Sequence, residues 1–282
     1  MTSVDRQDVR RFETGAASAR SLLLTVLGEF VRPRGGPAWT GALVAGLAEV
    51  GVEEKAARQA LARTAADGLL VAERTGRRVR WQLTPRAVRL LTEGADRIYG
   101  FGQGLAAWDG RWLMLMVTVP ESQRQLRHRL RTRLTWAGLG SPTPGLWVTP
   151  DTGKQKEVAE VVADLGVDAF SFTGSFGEIG DERRVVRQAW TLDEVERRYQ
   201  EFIGAVSATT VATPADAFRA RVRLVHEWRG FPFLDPALPP DLLPPGWPGP
   251  RAAQLFHDRY DAWHDAAGEY WDTLSATAAA RS

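Results

Sequence analysis

The strongest constraint in this sequence is a change of hydrophobic period. From Ser18 to Asp67 apolar residues recur at helical spacing; from Leu69 to Leu83 they alternate. Leu22, Leu23, Val26, Leu27 and Phe30 form one helical stripe that ends before Pro33 and Gly35-Gly36-Pro37. A second short helix is predicted from Trp39 to Val50, burying Leu43, Val44 and Leu47 and closed by Gly51. A third runs from Val52 to Asp67 and stops at Gly68, a residue free to take the left-handed turn after a helix. Leu69 to Glu73 and Val79 to Leu83 read as strands joined by Arg74-Thr75-Gly76-Arg77-Arg78. In the second strand Val79, Trp81 and Leu83 alternate with Arg78, Arg80 and Gln82, the pattern of a half-buried hairpin. Thr84-Pro85 opens another helix that runs to Tyr99, with proline where the first turn tolerates it. Three helices followed by a hairpin between residues 18 and 83 is the layout of a winged helix-turn-helix.

The remainder follows a different plan. With 282 residues the chain has room for two or three domains. Residues 1–17 lack periodicity and are expected to be a disordered tail. A joint, Gly100-Phe101-Gly102-Gln103-Gly104, closes the first domain, 18–100. The next, 105–190, reads as a strand (Trp112 to Val119), a basic helix (Gln123 to Trp136) and a strand around Gly145 to Val148. A helix (Lys154 to Leu165), a strand (Asp168 to Phe172) and a further strand before Trp190 follow. That alternation predicts a ferredoxin-like α+β domain. Residues 191–282 are expected to form a helical C-terminal domain, interrupted by an extended loop at 231–250 that holds eight prolines. The predicted class is therefore a multidomain α+β protein.

Composition removes several function classes. There is no cysteine, which excludes disulfides, thiol catalysis and cysteine-based metal centres. No apolar run approaches the roughly 20 residues of a membrane span. The polar start MTSVDRQDVRRFE has no apolar core of a secretion signal, so a cytoplasmic protein without membrane partners is expected. Enzyme signatures are missing as well. His226-Glu227 is followed by Gly230 where a zinc-protease helix needs histidine, and Gly100-Gly102-Gly104 follows a helix instead of a strand. No cofactor and no resident metal are expected.

Charge is more informative. Net charge is only +2, but residues 1–100 hold 16 Lys and Arg against 11 Asp and Glu, while residues 201–282 hold 7 against 10. The surplus sits with the winged module, as a polyanion partner would require. On the third helix Lys55, Arg58, Gln59, Ala62, Arg63 and Ala66 share one face, with Ala57, Ala60, Leu61 and Thr64 opposite. Arginine can clamp guanine, glutamine can clamp adenine, and small residues allow close approach in a major groove. A solvated helix face has the same composition. In the hairpin, Arg74, Arg77, Arg78 and Arg80 crowd like charges that repel one another unless a phosphate backbone faces them. A charged, solubilising sheet edge is the competing reading.

Two more clusters are candidates for an anionic small molecule. The basic helix carries Arg124, Arg127, His128, Arg129, Arg131 and Arg133 around Leu126, Leu130 and Leu134. A solvated basic face paired with the neighbouring acidic helix that includes Glu157 and Glu160 is the favoured reading. The C-terminal part is rich in aromatics, and a pocket near His226, Trp228 and Arg229 would suit an aryl or acyl thioester with an anionic tail. Ordinary core packing uses the same residues.

The ordered set of segments resembles the PaaX-type transcriptional regulators, the family of the phenylacetate-degradation repressor. The resemblance is carried by SARSLLLTVLGEFVRPRGGPAW (18–39), GVEEKAARQALART (51–64), DGLL (67–70) and RTGRRVRWQLT (74–84). It continues through RIYGF (97–101), WDGRW (108–112), LRTRLTWAGLGSPTPGLWVTP (130–150) and the distinctive LVHEWRGFPFLDPALPPDLLPPGWPG (224–249). The resemblance implies a homodimer whose winged domains bind a palindromic double-stranded DNA operator. It also implies a central domain similar to the CRISPR-adaptation endonucleases, and release of DNA by an acyl-CoA effector such as phenylacetyl-CoA. On it, Lys55, Arg58, Gln59 and Arg63 fall in the recognition helix and Arg77, Arg78 and Arg80 in the wing. Arg127, Arg131, His226, Trp228 and Arg229 become effector candidates. A metal-dependent nuclease is the alternative, but Val119-Pro120-Glu121 lacks the strand-end aspartate of nuclease relatives, leaving only Asp109 and Glu121 nearby.

Overall fold

The computed structural model describes residues 18–102 and 108–280. The expected tail, 1–17, and Gln103-Gly104 of the glycine joint lie outside the described residues. The chain forms two compact units, one drawn from 1–101, 201–231 and 251–282, the other from 102–200 and 232–250.

The first unit contains the winged helix. Helix α1 (Ala19–Val26) starts at Ser18, whose hydroxyl accepts from the Ser21 amide, and runs on through one wide π-turn, Leu27–Val31. Strand β1 (Ala38–Trp39), α2 (Thr40–Glu49), α3 (Glu54–Ala66), β2 (Leu70–Thr75), β3 (Arg78–Leu83) and α4 (Pro85–Gly100) follow. The antiparallel sheet has the order β1-β3-β2, with Glu73 opposite Arg80 and Thr75 opposite Arg78. Gly76 turns the hairpin at φ +62°, the left-handed conformation that costs glycine little. Strand β1 is too short to show periodicity, and no sequence pattern announces it.

The same unit takes in C-terminal helices: the last part of α8 (Leu192–Ala208), α9 (Pro214–Trp228), α11 (Gly249–Ala262) and α12 (His264–Ala280). Phe30 of the π-turn, Phe218 of α9 and Trp271 of α12 stack with centroids 4.8 to 6.3 Å apart. Helix α2 meets these rings at Gly46, where a Cβ would lie 3.2 Å from both Phe218 and Trp271. Glycine is what lets the two helices come so close. The segment 191–282 is thus helical, as expected; 201–231 and 251–282 group with the winged module, and 191–200 and 232–250 with the second unit.

The second unit has the order β4 (Arg111–Val117), α5 (Arg124–Trp136), β5 (Gly140–Thr143), β6 (Leu146–Thr149), α6 (Gln155–Leu165) and β7 (Ala169–Ser175). Its four strands run β5-β6-β4-β7, antiparallel throughout, which is the ferredoxin-like topology. Alternation along β4 sends Leu113, Leu115 and Val117 under α5 and α6, against Leu130, Leu134 and Val161. Trp112 and Met114 point to the other face, where Val186, Leu238, Leu242 and Trp247 cover them.

Two expectations are corrected here. The segment before Trp190 is a helix, α7 (Glu182–Ala189), not a strand. The Asp181 carboxylate caps the Arg183 amide and only Val186 is buried, a helical arrangement. Strand β5 was not anticipated, because Pro142 argues against a strand; as an edge strand it tolerates the missing donor. Gly140 is obligatory there, since a Cβ would sit 2.5 Å from the Trp190 ring. The proline-rich 231–250 is mostly irregular, with a short helix α10 (Phe231–Leu234) and a single turn at Pro240–Leu242.

Candidate nucleic-acid interface

Helix α3 presents the predicted arc. Lys55, Arg58, Gln59, Ala62, Arg63 and Ala66 are exposed, while Ala57, Ala60, Leu61 and Thr64 are buried against α1 and α2. The Thr64 hydroxyl donates to the Ala60 carbonyl at 2.7 Å, which satisfies the one polar side chain on the buried face. Arg58 pairs with Glu54 one turn earlier at 2.8 Å, both groups well exposed. Such a pair contributes about 0.3–0.5 kcal/mol, so a stronger acceptor can take the guanidinium from it. Lys55, Gln59 and Arg63 have no hydrogen-bonded or ion-paired partner among the described residues. Past the helix, Asp67 pairs with Arg20 of α1, which ties the end of α3 to the module core.

The four wing arginines divide into two kinds. Arg74 and Arg77 flank the Gly76 turn, exposed and without a partner among the described residues. Arg78 lies 4.4 Å over the Trp39 ring, and its guanidinium donates to the carbonyls of Ala278 and Ala279 at the C-terminal end of α12. A cation there meets the negative end of the helix dipole. Arg80 donates to Glu73 across the hairpin at 2.8 Å. The expectation that these charges repel one another unless a phosphate backbone faces them is therefore corrected for Arg78 and Arg80, which find acceptors within the protein. Sequence reasoning also missed Trp39 and Thr40. The Trp81 indole donates to the Thr40 hydroxyl at 2.9 Å, and that hydroxyl donates to the Val79 carbonyl, which fastens the start of α2 to the wing.

The effector candidates are spread between the units. Arg127 and Arg131 are exposed on α5 of the second unit, where Arg127 donates to the Glu121 carbonyl at 3.0 Å. His226, Trp228 and Arg229 belong to the first. Trp228 is corrected: it is fully buried, stacked 4.8 Å from Phe256, and its indole donates to the Ile98 carbonyl at 3.0 Å. It is a core residue and offers no surface to a ligand. His226 lies 3.4 Å from the Thr25 hydroxyl; burial and then the charge of Arg229 push its pKa down to about 4. The imidazole is consequently neutral at pH 7.

The Asp109 carboxylate is engaged with the Arg111 amide at 2.9 Å, and among the described residues no three His, Asp or Glu side chains gather as a metal site. Among the same residues, no helix is long and apolar enough to cross a membrane.

A winged helix whose third helix exposes a basic face, joined in one chain to a ferredoxin-like domain and C-terminal helices, defines a narrow class of proteins. Three family profiles match in chain order: PaaX-like protein at residues 18–87, PaaX protein central Cas2-like domain at 105–186, and PaaX-like protein C-terminal domain at 190–273. The chain belongs to the PaaX-like family. It is 30% identical over 263 residues to the transcriptional repressor PaaX of Escherichia coli K12, across 89% of this chain and 82% of that protein. An uncharacterized protein from Mycobacterium tuberculosis has the same fold, with a TM-score of 0.65 at 24% identity over 92% of this chain and 99% of that one.

Proposed function

We propose that this protein is a transcriptional repressor, acting in the cytoplasm as a homodimer, that binds an operator through α3 and the wing. The observation that carries the reading is the division of the basic residues. Those the fold uses are tied to Glu73 and to the end of α12, while Lys55, Gln59, Arg63, Arg74 and Arg77 stand exposed without partners among the described residues. Unpaired cations beside small residues gain most from a phosphate backbone and base edges. Within the winged domain proposed at 18–100, Lys55, Arg58, Gln59 and Arg63 read bases, and Arg74 and Arg77 hold the backbone. The kinship with a transcriptional repressor supports the same reading.

A homodimer is favoured by the central domain at 105–190. Phe170, Phe172 and Met116 stand exposed on one face of its sheet, Met116 directly opposite Phe170. Neighbouring exposed apolar side chains of this size mark an interaction surface. The dimer sets two recognition helices about 34 Å apart, one turn of DNA. An acyl-CoA effector, with phenylacetyl-CoA the first to try, releases the operator by favouring a dimer that does not meet that spacing.

The test is fluorescence anisotropy on DNA from upstream of the protein's own gene, at about 150 mM salt with excess nonspecific competitor. Tight binding abolished by phenylacetyl-CoA is the expected result. Tight binding indifferent to the thioester removes that effector, and no competitor-resistant binding on any genomic fragment removes the repressor reading.

A further inference from the structure

A cleft of about 70 Å³ opens in the first unit between α1 with its π-turn, α4 and α9. Its walls are apolar: Leu24, Leu90, Leu91, Ile98 and Val225. Gly28 leaves the space open, because no side chain projects from that position of the π-turn. Wide turns of this kind recur at functional sites, since they displace a helix from its regular packing.

The polar part of the lining is built, not incidental. The Glu29 carboxylate is buried and held by Arg221 at 3.0 Å and by the Tyr99 hydroxyl. Arg221 is buried too; it donates to the Tyr260 carbonyl at 2.9 Å and lies 3.8 Å over the Tyr260 ring. Burial, and then the Glu29 charge, keep the Tyr99 phenol protonated, so it acts as donor to Glu29. The carboxylate is thereby satisfied from within the protein. Arg32 at the rim is different. Among the described residues its guanidinium donates only to neutral acceptors, the Gly28 carbonyl at 3.4 Å and the Thr92 hydroxyl at 3.3 Å. Arg229 lies on the same lining.

We infer that this cleft is a ligand site for a short apolar group whose other end is anionic: the apolar group enters beside Gly28 and the anion meets Arg32. The volume of the cleft is about half that of a cavity that holds benzene, which matches a chain of a few carbons or the inner edge of a ring. A free carboxylate and a coenzyme A thioester share this chemistry. The inference rests on the repressor reading only for its consequence. Helix α1 packs on the recognition helix α3, and α4 continues the wing strand β3 through Thr84, so a ligand between them bears on both DNA-reading elements.

The test is calorimetry on the full chain without DNA, using isobutyrate, phenylacetate and the coenzyme A thioester of each. Saturable binding by at least one probe is expected, and which arm binds identifies the source. Gly28→Leu fills the cleft: Gly28 has no left-handed φ, and a Cβ there lies 3.6 Å from Leu91. It should weaken binding at least about tenfold (1.4 kcal/mol per decade) while operator affinity without ligand stays within about threefold. Arg32→Gln, which keeps the wall and removes the charge, should weaken the anionic probe about fivefold or more, and it carries the test if Gly28→Leu does not fold. Absence of binding by all four probes overturns the site, as does binding unchanged in both variants. Binding lost in both variants with no effect of ligand on operator affinity keeps the site and instead overturns its role in release, and failure to bind any operator is read separately, before ligand is added.

Discussion

Exchanging Arg77 and Arg78 for alanine, one at a time, should separate a DNA contact from a structural one at adjacent positions. Arg77 is exposed at the wing turn and makes no ion pair or hydrogen bond among the described residues. Arg78 stacks on Trp39 and caps α12. Each phosphate contact adds about 0.9 to the slope of log affinity against log salt, so Arg77→Ala in both wings of a homodimer should flatten the slope by about 1.8. Between about 50 and 200 mM salt that is roughly a twelvefold difference in how much affinity is lost. Its melting temperature should not move. Arg78→Ala removes a helix-end cation and a stacked ring contact, about 1–2 kcal/mol together, and should lower the melting temperature by a few degrees with the slope unchanged. Anisotropy across a salt series and calorimetric melting read both quantities. A flattened slope at unchanged melting temperature for Arg78→Ala would refute the division of the wing into two kinds of arginine. So would a destabilised Arg77→Ala with the original slope.

Other outcomes follow from the same contacts. Arg63→Ala should cost about 1–3 kcal/mol at one base pair and little elsewhere, read by anisotropy on a set of operator variants; equal weakening on every sequence would move Arg63 to the backbone. Arg221→Met strands the buried Glu29 carboxylate and should destabilise by about 3–5 kcal/mol in urea unfolding, with Arg221→Met/Glu29→Leu recovering part of it. A single-variant loss below about 1 kcal/mol would mean the carboxylate finds water or another donor. His226 has its folded pKa lowered to about 4, below the unfolded value, so the unfolded chain binds the extra proton first as pH falls. Stability attached to this group is complete above about pH 6.5 and is lost progressively down to about pH 4, and His226→Gln should flatten that limb of the unfolding profile. Incubation of plasmid with Mg²⁺ or Mn²⁺ should leave it intact, and metal-dependent cleavage by the purified chain would overturn the regulator reading.

Much of the winged module was legible because its determinants are local. The helical stripe of α1, the division of α3 into an alanine-lined buried face and a cationic exposed one, and the alternation of β3 each depend on residues within a few positions. The ferredoxin-like order was readable for the same reason, with two exceptions. The segment before Trp190 was expected as a strand, and the Asp181 cap and the single buried position, Val186, reveal α7. Strand β5 is an edge strand with a proline, and local propensity argues against it where sheet topology permits it.

The candidate site was half legible. Spacing identified Lys55, Arg58, Gln59 and Arg63 as one exposed face, because a 3.6-residue period fixes which side chains turn away from the core. It could not sort four wing arginines of equal local context. Arg78 finds its acceptors 200 and 201 residues away in α12, and Arg221 finds Glu29 at a separation of 192. Trp228 likewise looked like part of a ligand pocket until Ile98 and Phe256 closed around it. Periodicity and composition were enough to place most of the elements and the sign of the charge they display, but not β1, β5 or α7. Only the tertiary structure decided which charges are already neutralised and which space stays open, because both depend on partners that chain spacing does not specify.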